Sequence, residues 1–102
     1  MGIDVHWRDE RGETLATVDD PEMLLSRLSN LLSKQSDSVC LRFIDPVGDA
    51  CFNQHQIPVL LDELRQVLPS VSDTRTVKHL HNVVRLIEGA GQVHTYVWFV
   101  GD

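Results

Sequence analysis

Apolar and polar residues alternate at the start of the chain, with Ile3, Val5 and Trp7 set against Asp4, His6 and Arg8. A period of two is the mark of a half-buried strand. Asp9-Glu10-Arg11-Gly12 reads as a turn. Thr14 to Val18 is β-branched at three of its five positions and reads as the returning strand of a hairpin. The period then changes. Asp20-Pro21-Glu22 predicts a helix start, with Asp as N-cap, Pro at the first helical position and an acid in the first turn. Leu24, Leu25, Leu28, Leu31 and Leu32 recur at helical spacing until Ser36-Asp37-Ser38 breaks the pattern.

Val39 to Asp45 reads as a strand, Pro46-Val47-Gly48-Asp49 as a turn, and Ala50 to Asn53 as a short strand. Pro58 fits the first turn of a second helix, buried through Leu60, Leu61, Leu64, Val67 and Leu68 and stopped by Pro69. Asp73 or Thr74 caps a third helix, with Val77, Leu80, Val83, Val84 and Ile87 inward and Gly89 and Gly91 at its end. Val93 to Val100 closes the chain as a strand of β-branched and aromatic residues, expected to lie centrally in its sheet. The order ββαββααβ predicts a single α+β domain over residues 1–102. Its architecture would be two layers, a mainly antiparallel sheet of about five strands with three helices on one face.

Helices on one face leave the other free for a partner. The predicted strands assign Tyr96, Trp98, Arg42, His6, His94 and Arg8 to that free face. Tyr, Trp and Arg are the residue types enriched at interface hot spots, so a protein partner or a homodimer mate would sit here. Ordinary cross-strand pairs on a solvated face account for the same residues without a partner.

Charge narrows the class of partner. Fifteen acidic residues against nine Lys and Arg give a formal net charge of −6 over 102 residues. That balance disfavours a generic binder of nucleic-acid backbone, which needs a basic stripe, and no nucleic-acid partner is expected. It suits steering toward a basic protein. Asp45 and Asp49 bracket the Pro46-Val47-Gly48 turn. Turn chemistry explains both carboxylates; an acidic knob for a cationic pocket is the functional alternative. Asp9, Glu10, Glu13, Asp19 and Asp20 form a second acidic group, read as solvated turns.

Candidate chemistry is sparse. If residues 46–49 were a hairpin loop, Cys40 would lie roughly 13 Å from the position opposite Cys51, too far for a disulfide. Both are read as reduced thiols, which fits a cytoplasmic setting. His79 and His81 stand two apart on a predicted helix and cannot share a metal. No metal or cofactor is expected. Neither GxSxG, nor a P-loop, nor GxGxxG occurs. An enzyme would have to assemble its site from His6, His94, Asp45 and Cys51 in one pocket. The first ten residues lack a signal-peptide core, and the chain has no apolar run of membrane-spanning length, so no membrane association is expected.

The segments L-R-F-I-D-P-V-G-D-A-C-F-N (41–53), I-P-V-L-L-D-E-L (57–64) and H-T-Y-V-W-F-V-G-D (94–102) carry a resemblance. Together they resemble a group of small bacterial proteins of uncharacterised function. In that group a strand ending in FIDPxGD is followed by FN and a leucine-rich helix, and the chain closes near an aromatic strand. The resemblance implies a bacterial source and no substrate. In size, acidity and lack of catalytic signatures the chain is also similar to toxin-immunity proteins, which plug a toxin's active site. That likeness implies a non-enzymatic, cytoplasmic inhibitor. Arg42, His94, Tyr96 and Trp98 would anchor the complex, with Asp45 and Asp49 supplying charge. A homodimeric scaffold or accessory subunit is the alternative.

Overall fold

The computed structural model describes residues 2–33 and 37–101, with only the backbone of Asn30 and Ser33. Ser36 of the predicted helix break and Asp102 of the closing motif lie outside the described residues. The strands and helices run β1 (Asp4–Asp9), β2 (Thr14–Val18), α1 (Leu24–Ser33), β3 (Asp49–Phe52), α2 (Ile57–Val67), α3 (Thr74–Glu88) and β4 (Thr95–Val100). Short 3-10 turns occupy Leu41–Phe43 and Leu68–Ser70. The strands pair antiparallel in the order β2-β1-β4-β3. The α+β class and the central place of the last strand are as expected. Among the described residues the sheet has four strands rather than about five, and the element order is ββαβααβ.

The missing strand is Val39 to Asp45, and its backbone donors explain why. The Glu63 carboxylate on α2 accepts the N–H groups of Val39 at 2.8 Å, Cys40 at 3.1 Å and Leu41 at 3.0 Å. Ser38 Oγ accepts the Arg42 N–H at 3.0 Å. A β-ladder would need some of those same donors, and each can be used only once. The segment therefore curls into a 3-10 turn that buries Cys40, Leu41 and Ile44, while Val39 and Phe43 stand 54% and 57% exposed. The expected pairing of this segment with Ala50–Asn53 gives way to pairing of β3 with β4.

Elsewhere the local chemistry matches the elements. Asp20 serves as the cap of α1, but Pro21 to Met23 form a turn, with Met23 at φ 57°, and the helix begins at Leu24. Asn53 and Gln56 exchange bonds ahead of α2. Gln56 Oε1 accepts the Asn53 N–H at 2.9 Å and Asn53 Oδ1 accepts the Gln56 N–H at 3.0 Å, the reciprocal pattern of a capping box. Asp73 caps α3 by accepting from the Thr76 N–H and, at 2.6 Å, the Thr76 hydroxyl.

The helices cover one sheet face. Val5, Val97, Phe99, Ala50 and Phe52 point to it and share one core with Leu25, Leu60, Leu64, Leu80 and Ile87. Phe52 and Phe99 meet edge to face at 5.8 Å between centroids. Gly101, which follows β4, is locked to the Asp45–Gly48 turn. The Gly101 N–H donates to the Gly48 carbonyl at 2.9 Å, and a Cβ on residue 101 would collide with the Asp45 carbonyl and lie 2.7 Å from that of Gly48. The Asp45–Gly48 part of the DPxGD turn and Gly101 thus meet in space, and they do structural work.

Candidate functional site

The sheet face opposite the helices is the candidate site. Residues of β1 and β4 that alternate with the core positions line it, and the register sets them in cross-strand rows. At one end Asp4, Val100 and Asp49 lie side by side across β1, β4 and β3. In the middle Thr17, His6, Trp98 and Cys51 cross all four strands. At the other end Arg8 sits opposite Tyr96. The face therefore runs from acidic through aromatic to cationic along the strand direction.

His6, Arg8, Tyr96 and Trp98 are half-buried although no helix covers them. The register sets His6 beside Trp98 and Arg8 beside Tyr96, and the Arg8 guanidinium carbon lies 5.3 Å from the Trp98 ring centroid. His6 Nδ1 and Arg8 Nε are buried and have no hydrogen-bond partner among the described residues. Asp4 Oδ1 accepts the Asp20 N–H at 2.8 Å, which fixes its carboxylate at the edge of the face.

The predicted site residues divide. Tyr96 and Trp98 stand on the face as expected, joined by His6 and Arg8. Arg42 does not. It belongs to the 3-10 turn and lays its guanidinium 5.0 Å from the neighbouring Phe43 ring. His94 precedes β4 with φ 62° and reaches out to Glu10 Oε2 at 3.7 Å, both side chains being exposed. The positive φ turns His94 out of the strand alternation on which its placement rested. Asp45 is a turn former, accepting the Val47 N–H at 2.9 Å. Asp49 lies on the face at its acidic end.

Cys51 also belongs to the face, although the sequence assigns it there by no motif: it is exposed between buried Ala50 and Phe52. The alternation of those neighbours was the available signal. Burial pushes its thiol above the ordinary value, and the nearby Arg8 charge pulls the other way. Cys40 is buried in the core, and burial and then the Glu63 charge both raise its thiol. His6 and Cys51 are two strands apart in the middle row, about 10 Å, with Trp98 between them. Asp45 and His94 are not on the sheet at all. Among the described residues, no group of three or more His, Cys, Asp and Glu is placed to hold a metal ion. No helix among them is long and apolar enough to cross a membrane.

No family model, curated protein or solved structure matches this chain.

Proposed function

We propose that the protein is a non-enzymatic protein-binding domain and that the uncovered sheet face is its working surface. The observation that carries this reading is the Arg8–Trp98 stack beside Tyr96, an ordered aromatic and cationic centre on a face that no helix covers. Residues of these types, already packed into fixed positions, lose little freedom when a partner docks.

The more specific form is an immunity-type inhibitor that occludes the active site of a bacterial toxin. The net charge of −6 and the acidic end of the face, Asp4 and Asp49, support a partner with a basic cleft. Charge would govern the encounter, and the aromatic centre would govern residence. Asp49→Lys is then expected to slow association and flatten its salt dependence, whereas Trp98→Ala speeds dissociation.

The test is capture from the source cells with the tagged chain, followed by binding kinetics on the captured protein. The expected result is a stoichiometric partner whose complex is lost with Trp98→Ala and Arg8→Glu while both variants keep their circular dichroism. A partner held equally well by those variants would move the binding surface elsewhere.

A further inference from the structure

We propose that, when no other partner holds it, the uncovered sheet face closes on the same face of a second copy. The two-fold axis of that pair crosses the strands along the His6–Trp98–Cys51 row. This rests on the reading of the face as a binding surface and names what covers it at rest.

The charge order along the strands selects the geometry. Asp4 and Asp49 lie at one end and Arg8 at the other, on opposite sides of the His6–Trp98 row. Asp4 and Arg8 are four positions apart on β1, about 13 Å. Sheets that pack face to face with aligned strands leave two choices of in-plane two-fold axis. An axis along the strands lays each row on its own counterpart. The acidic ends then face one another, and Arg8 meets no carboxylate.

An axis across the strands reverses one copy. β1 then lies over β1 of the mate, and Asp4 of each copy faces Arg8 of the other. Val100 meets Tyr96 twice, and the two Trp98 rings meet near the axis. Asp4 can serve both roles, because only Oδ1 is engaged by the Asp20 N–H and a carboxylate offers about four lone-pair sites.

The size of the face sets the strength. Four strands about 4.8 Å apart and six residues about 3.4 Å apiece give a footprint of roughly 19 by 20 Å. That is about 400 Å² per copy, below the standard size of specific interfaces and in the range of weak, transient ones. The pair is therefore a weak one that dissociates on dilution.

Cys51 reports the geometry in the unaltered protein. It is exposed on β3 in the row that carries the axis, while Cys40 is buried. With the axis across the strands, β3 lies over β3 of the mate, and the two Cys51 side chains face each other between sheets about 10 Å apart. A short bismaleimide spans that gap. With the axis along the strands, β3 lies over β2 of the mate, and the two thiols are out of its reach.

The experiment is sedimentation of the full chain over a wide concentration range, with bismaleimide cross-linking alongside. The expected result is a monomer–dimer equilibrium, a covalent dimer that Cys51→Ser abolishes, and dimerisation weakened at least about tenfold by Arg8→Glu. Mixing Arg8→Glu with Asp4→Lys restores the pair, because each supplies the charge the other has lost. The wild-type cross-link carries the test if Asp4→Lys does not fold. A chain that stays monomeric, or a dimer without a Cys51–Cys51 link, overturns the inference. A monomer that still loses a captured partner on Trp98→Ala leaves the protein-binding reading standing and removes only the self-pairing.

Discussion

Arg8 lies over the ring of Trp98, 5.3 Å from its centroid, although the two are not opposite each other in the sheet. Arg8 is paired with Tyr96, and Trp98 with His6. The contact is diagonal and ties the cationic row of the face to the aromatic one. Nothing in the core depends on it, since Val5, Val97 and Phe99 pack on the opposite side of the same strands.

Arg8→Ala is accordingly expected to lower the unfolding free energy by about 1 kcal/mol or less, the range of a partly exposed cation–π contact. Urea denaturation followed by far-ultraviolet circular dichroism measures it. A loss of about 3 kcal/mol, typical of a buried polar group stripped of its partners, would make Arg8 a structural residue and weaken its assignment to a binding face.

Glu63 gives a prediction about the chain that precedes β3. Its carboxylate holds three successive N–H groups, Val39 to Leu41. Glu63→Ala leaves all three N–H groups without their acceptor and is expected to cost about 1–3 kcal/mol. Amide exchange at residues 39–41 should accelerate well beyond the change in global stability, while exchange in β4 follows that stability alone. Uniform acceleration across the chain would show that the turn does not open independently.

Glu63 also marks the limit of what the sequence could say. The alternation at Ile3 to Arg8, the leucine spacing of α1 and α2, and the caps at Asp20 and Asp73 are local signals, and each is realised nearby in the fold. The segment Val39 to Asp45 has equally good local strand character. What overrides it is a carboxylate more than twenty residues away, which no periodicity reveals. The candidate face followed the same rule. Tyr96, Trp98, His6 and Arg8 were legible because strand alternation places them. Arg42 was misplaced with its false strand, and His94 by a single backbone angle, φ 62°.

Asp73 carries a pH dependence whose sign is fixed. The Thr76 hydroxyl, foremost, and backbone N–H groups of the first turn hold its carboxyl below the ordinary carboxylate value, against a smaller opposing effect of burial. The folded form therefore favours the ionised acid more than the unfolded form does. The resulting stability is complete above the unfolded value, about 3.9, and is lost as pH falls through the folded one. Comparing urea midpoints between pH 5 and pH 2, Asp73→Asn should lose less stability on acidification than wild type does. Parallel curves for the two proteins would remove Asp73 from the acid response.

Asp20 is the position where a single atom change should matter most. Its side chain is fully buried and accepts from Ile3 at 3.0 Å, Leu24 at 2.7 Å, Leu25 at 3.1 Å and Ser26 at 3.2 Å. It thus joins the entry to β1 to the start of α1, while His79 Nε2 on α3 stands 3.5 Å from Oδ1. Both oxygens are in use, so an amide can replace only one of them and turns a donor toward the N–H groups at the other. Asp20→Asn is expected to cost about 2–3 kcal/mol, and Asp20→Ala, which leaves every donor without its acceptor, about 3–5 kcal/mol. Linear extrapolation of urea curves measures both. If each variant fell within about 0.5 kcal/mol of wild type, as an ordinary surface substitution does, water would have to satisfy those donors as well as Asp20 does.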